Sequence, residues 1–107
     1  MRSFGKNNLL EMQTMSDEQA NALFTGVVMM FHAAGMQHLG KTKNPLSDKI
    51  ERDLPQAQMS IDILDMLHSK CKNNLTADED RFLRNALQEL KLNYVDEVSK
   101  EQSPPAA

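Results

Sequence analysis

The segment Leu23-Phe24-Thr25-Gly26-Val27-Val28-Met29-Met30-Phe31-His32-Ala33-Ala34-Gly35-Met36-Gln37-His38-Leu39 limits what this chain can become more than any other part of it. It follows Ser16-Asp17-Glu18-Gln19, a capping-box spacing in which Ser16 caps the backbone N–H of Gln19 and the Gln19 side chain reaches back. A helix is therefore expected from there to Leu39, stopping at Gly40, which can take the left-handed conformation at a helix end. A surface helix of a monomer shows one apolar stripe, whereas Phe24, Val27, Val28, Met30, Phe31 and Ala34 spread apolar character nearly all round. Such a helix has to be covered on most sides.

Two further amphipathic helices follow. Asp53 is the expected N-cap of the second, with Pro55 tolerated in the first turn, where its missing N–H leaves no bond unmade. Ala57, Ile61, Leu64, Leu67 and Cys71 recur at three- and four-residue spacing, widened by Ile63 and Met66, so this helix is expected to reach about Lys72 before Asn73-Asn74. Thr76-Ala77-Asp78-Glu79 is another capping box, its acids favoured by the macrodipole. The third helix then lines up Leu83, Leu87, Leu90 and Tyr94 with Phe82, Ala86 and Val98, pairs Asp80 with Arg84, and ends near Lys100. No repeat, low-complexity tract or strand pattern appears, so the fold class is all-α: three main helices in a bundle with a long loop between the first and second.

The domain is expected over residues 16–100, between a flexible or weakly structured N-terminal segment, 1–15, and a disordered tail, 101–107, where Ser103-Pro104-Pro105 cannot continue a helix. A core of that size is marginal alone. Two helices cover about half of the first, and removing some 400 Å² more per chain from water would contribute on the order of 10 kcal/mol, as an upper bound. Self-association as a homodimer follows as the expected solution, with Ala22, Gly26, Met30 and Ala33 as the close-packing face. The alternative is an adaptor or subunit that docks this helix on another protein or a membrane surface. Spanning is not expected, because about 17 residues is at the lower limit of length, and His32, Gln37 and His38 interrupt them.

From Gly40 to about Asp53 the chain is polar, with Asn44-Pro45 as a turn signal and Leu46 and Ile50 as expected anchors. A connection of that length is either a plain crossover or a contact surface, so Lys41, Lys43, Asn44, Pro45, Leu46 and Ile50 form a candidate partner loop.

Chemistry is sparse. Apolar residues at 40% and charged residues at 25% fit a globular domain, and a net charge of −3 from interspersed acids and bases lacks the basic stripe that nucleic acid requires. One cysteine, Cys71, excludes an intramolecular disulfide and suits a reducing interior. The N-terminus lacks a long apolar stretch and a small-residue cleavage site, so a cytoplasmic location is expected. His32 and His38 point about 240° apart on one helix and cannot share an ion; His68 and Cys71, one turn apart, are a weak metal signal by themselves. No nucleophile sits in a recognisable signature, and Gly5, Gly26, Gly35 and Gly40 are isolated. The expectation is no enzyme, no cofactor and no metal, with a metal- or thiol-dependent activity the remote alternative. Met29, Met30, Met36, Met59 and Met66 are read as gap-fillers in a core short of aromatics, an adaptable groove being the other reading.

Leu39-Gly40, Asn44-Pro45, Ile61-Asp62-Ile63-Leu64-Asp65-Met66-Leu67, Lys70, Asn74-Leu75-Thr76, Glu79 and Leu90-Lys91-Leu92-Asn93-Tyr94-Val95 together resemble a bacterial domain-of-unknown-function family, number 1844, of short helical proteins. The resemblance spans roughly Phe24 to Glu97, and Ile61-Asp62 to Thr76 is its most specific piece. It implies a helical domain and brings no activity, cofactor or catalytic residue. Cys71 and Asn73 stand where the family tends to have threonine and glycine, which argues against an essential role for Cys71.

Overall fold

Local signals fix where the helices begin. In the computed structural model, which describes residues 15–102, Ser16 Oγ accepts from the Gln19 backbone at 3.1 Å while Gln19 Oε1 accepts from the Ser16 backbone at 3.0 Å. Helix α1 runs from there over Asp17–His38. It closes in a Schellman arrangement: Gly40 takes φ 79, Gly40 N–H donates to the Gln37 carbonyl, and Lys41 N–H donates to the Met36 carbonyl. Asp53 caps helix α2, Leu54–Lys70, by accepting from Gln56 N–H at 3.1 Å. Helix α3, Ala77–Gln102, starts on the reciprocal Thr76 and Glu79 box.

The expected boundaries hold to within two residues. α2 stops at Lys70 with Cys71 as its cap, and α3 continues two residues past Lys100. Asn73 sits at φ 70, a left-handed conformation that asparagine tolerates. The N-terminal segment 1–15 expected to be weakly structured, apart from Met15, and residues 103–107 of the expected tail lie outside the described residues.

Cross-helix pairs set the directions. α1 and α2 are antiparallel, as the bridge between Leu39 and Arg52 shows, and His68 with Asp80 joins the end of α2 to the start of α3. His32 with Glu89, Gly35 with Leu90 and Lys41 with Glu97 climb α1 and α3 in step, so those two are parallel. The result is an up-down-up bundle. Its core takes Val28 from α1, Leu39 from the end of that helix, Ala57, Ile61 and Leu64 from α2, and Leu83, Ala86, Leu87 and Leu90 from α3, with Phe24, Phe31, Met36, Leu54, Leu67, Leu75 and Tyr94 packed around it.

Two expectations fail on burial. Of the five methionines read as gap-fillers, only Met36 packs on the core; Met29, Met30, Met59 and Met66 are exposed because the aliphatic positions on each stripe already meet at the bundle centre. Leu46 and Ile50 do not anchor the loop either, at 95% and 57% exposure. Residues 41–52 instead form a finger with order of its own, in which Asn44 N–H donates to the Lys49 carbonyl at 2.8 Å and Asp48 turns the chain at φ 58. Closed on itself by these turn hydrogen bonds, the finger leaves Leu46 in water.

Gly35 is buried, and a Cβ built there would lie 2.7 Å and 3.2 Å from the two δ-carbons of fully buried Leu90. The glycine is what lets α1 and α3 approach. Leu90→Ala should therefore lose about 2–5 kcal/mol, and Gly35→Ala about 1–3 kcal/mol from overpacking, offset by roughly 1 kcal/mol of helix propensity. In the double variant the added methyl enters the space that Leu90 vacates, so the combined loss should fall short of the sum by about 1 kcal/mol. Urea unfolding of the four proteins checks this; strictly additive values would mean that some other contact requires the glycine.

Candidate functional site

Two regions carry features that packing alone does not explain. The first is the outward face of α1. Ala22, Gly26, Met30 and Ala33, the expected self-association face, fall together on the side away from buried Val28 and Gly35, and all four are exposed. From Gln19 to Gly40 the sequence holds no Asp, Glu, Lys or Arg, so this water-facing surface carries no formal charge. A Cβ added at Gly26 meets no atom within 4 Å, in contrast to Gly35. Nothing among the described residues accounts for a glycine at 26.

Beside that face lies a groove of about 740 Å³ between α1 and α3, with Met29, His32 and Ala33 on one wall and Phe82, Ala86, Glu89 and Leu92 among the residues of the other. His32 Nε2 and Glu89 bridge it by a short hydrogen bond. Helical periodicity does not reveal the groove, because it sets Phe82 beside the apolar line of Leu83 and gives Leu92 no face. Phe82 is 39% exposed and Leu92 64%.

The second region fastens the finger to the bundle. Glu97 continues the buried line of α3 where an apolar residue would be expected, and its side chain is only 8% exposed. Its Oε2 accepts from Lys41 Nζ at 2.7 Å and Lys100 Nζ at 2.8 Å, and its Oε1 from Arg52 Nη1 at 2.9 Å. Asp96 adds contacts to Lys41 at 3.2 Å and Lys100 at 3.4 Å, and Glu101 binds Arg52 Nη2 at 3.1 Å. Three cations thus meet three carboxylates. The hydrogen bonds from Lys100 and Lys41 hold the Glu97 carboxyl down at about 2, against an ordinary 4.5, despite the opposing effect of burial. The Glu97 and Asp96 hydrogen bonds raise Lys41, and the Glu97 hydrogen bond raises Arg52.

Of the candidate partner loop, Lys41 is thereby engaged within the chain, and Asn44 is held by its own turn, its Nδ2 donating to Glu51 at 2.8 Å and its Oδ1 accepting from Leu46 N–H at 2.9 Å. Lys43, Pro45, Leu46 and Ile50 remain exposed. His68 pairs with Asp80 at 3.2 Å, and Cys71 is a half-buried free thiol at the α2 cap. Among the described residues no three or more His, Cys, Asp or Glu side chains gather in a geometry that could hold a metal ion, and no helix is long and apolar enough to cross a membrane.

The depressed Glu97 carboxyl makes a pH signature. A group whose folded-state pKa lies below its unfolded value stabilises fully above the unfolded value, here near 4.5, and loses that contribution as pH falls toward about 2. Thermal unfolding should therefore show stability dropping through that window. Glu97→Gln should remove much of the drop and, by leaving three cations short of their shared acceptor, lower stability at neutral pH by about 1–3 kcal/mol. An unaltered acid profile in the variant would show that other carboxylates govern it.

Comparison with known proteins yields one finding. No curated protein and no solved structure matches the chain significantly. The family model described as Domain of unknown function (DUF1844) matches residues 21–96, which reach from the third residue before Phe24 on α1 to Asp96 beside the Glu97 cluster. The match covers well over half of the chain and takes in parts of all three helices, the finger, and the Gly35 and Leu90 contact, and the chain therefore belongs to this family.

Proposed function

We propose that the protein is a non-enzymatic, self-associating helical module that works as a homodimer through the outward face of α1. The observation that carries this reading is Gly26, a helix-interior glycine with open space around its missing Cβ on a face of Ala22, Met30 and Ala33 that has no formal charge. Glycine inside a helix costs roughly 1 kcal/mol relative to alanine. At Gly35 the contact with Leu90 offsets that cost; at Gly26 nothing among the described residues does, and a helix packed on this face from outside would. A second copy supplies it naturally, since small residues let two helix backbones approach closely and a two-fold contact matches the face to itself.

With α1 so occupied, the finger is the surface left for a different partner. Leu46 stands at its tip, 95% exposed and held in place by Asn44. The second reading, α1 docked on another protein or on a membrane surface, draws on the same uncharged face and differs in the state of the isolated chain.

Molar mass by light scattering across roughly 1 to 100 µM separates the two, because mass action makes an oligomer depend on concentration. A dimer is expected. Gly26→Leu should yield a monomer of retained helicity, since the position is open within the chain and leucine is the better helix former by about 0.8 kcal/mol. An unchanged mass together with an unchanged melting temperature would refute the self-association face, and a wild-type monomer would move the search to a foreign partner for α1.

A further inference from the structure

The α1 face is built of Ala22, Gly26 and Ala33 around one methionine, so a contact confined to two such stripes covers little area, against roughly 800 Å² per partner in a stable complex. More apolar surface adjoins it. Met29 and Ala33 also form a wall of the groove between α1 and α3, whose opposite wall presents Phe82 and Leu92. Stripe and groove are one continuous surface on well-formed helices, and Met29 and Leu92 on it are 57% and 64% exposed.

Length and charge both suit α1 as the occupant. Phe82 to Leu92 measures about 15 Å along α3, and Ala22 to Ala33 about 16 Å along α1, at 1.5 Å per residue. The groove's one carboxylate, Glu89, is already bonded to His32 of the same chain, so an incoming helix needs no cation and an acidic one is repelled. The stretch of that face from Ala22 to Ala33, with no Asp, Glu, Lys or Arg, meets that condition. An ordinary amphipathic helix would bring charges to the rim.

We infer that the groove between α1 and α3 is the seat of α1 from a second copy, which makes Phe82 and Leu92 interface residues and places two α1 and two α3 helices at the dimer centre. This rests on the self-association proposed above and adds where the partner helix lies. Under a two-fold operation each α1 is at once occupant and wall. A face-to-face contact of the two α1 helices alone would leave Phe82 and Leu92 in water.

Directed cross-linking tests it in full-length protein. In a Cys71→Ser background, which removes the only native thiol, one preparation carries Met30→Cys and another Leu92→Cys. Both positions are exposed, so neither change disturbs the core. After subunit exchange and mild oxidation, the mixed 30 to 92 disulfide should exceed, by about tenfold, that formed between Met30→Cys and a control with Asp62→Cys on α2. Leu92→Glu should raise the dimer dissociation constant at least tenfold, about 1.4 kcal/mol, with an unchanged melt for the dilute monomer. A dimer that cross-links Met30 to Met30 but treats Leu92 like the control, with Leu92→Glu dimerising normally, would overturn the groove and leave self-association standing. A wild-type monomer at every concentration would overturn both.

Discussion

The approach of α1 to α3 at Gly35 governs the rest of the molecule. Leu90 is fully buried with its two δ-carbons over the glycine, and no larger residue at 35 leaves them there. Because α1 and α3 run parallel, a contact at one level fixes the levels of the others: His32 beside Glu89 below it, Lys41 beside Glu97 above. Burying a leucine side chain is worth about 1.5–3 kcal/mol and emptying its site more, whereas an exposed ion pair adds about 0–1 kcal/mol. Apolar packing therefore sets the register, and the polar pairs follow it.

Glu97 departs from that hierarchy. It occupies a buried position on the α3 stripe, and taking one carboxylate out of water is tolerable only when its oxygens are fully engaged. Lys41, Lys100 and Arg52 engage them from the end of α1, from the next turn of α3 and from the far end of the finger. One side chain thus pins both feet of a connection whose apolar residues, Leu46 and Ile50, make no anchor. The finger keeps an exposed leucine at its tip without a hydrophobic footing.

The opposite problem arises on α1. Val28 and Gly35 bury its inner side, yet from Gln19 onward its outer side lacks the charge of a solvated helix and has no cover among the described residues. Gly26 in open space and Gly35 beneath Leu90 are the same residue type on the same helix for different reasons, one answered within the chain and the other left for a second molecule in the reading proposed here. The groove beside Met29 extends that uncharged surface onto α3.

Short-range physics was legible in the order of residues. Ser16 with Gln19, Asp53 with Pro55, Thr76 with Glu79, and Gly40 announce helix ends because caps act over three or four residues, and the stripes at Ala57, Ile61 and Leu64 and at Leu83, Leu87 and Leu90 follow from the helical repeat. The family was legible as well, through Ile61-Asp62 to Thr76 above all. What only the tertiary structure decided depended on which faces meet. Periodicity could not say that four methionines would lie outside, that Gly35 but not Gly26 would receive Leu90, or that Phe82 and Leu92 would border a groove. Nor could it foretell that Glu97 would draw in Lys41 and Arg52, since residues 45 to 56 positions apart come together only once the helices have packed, and the chain order of an acid and two bases carries no record of that distance.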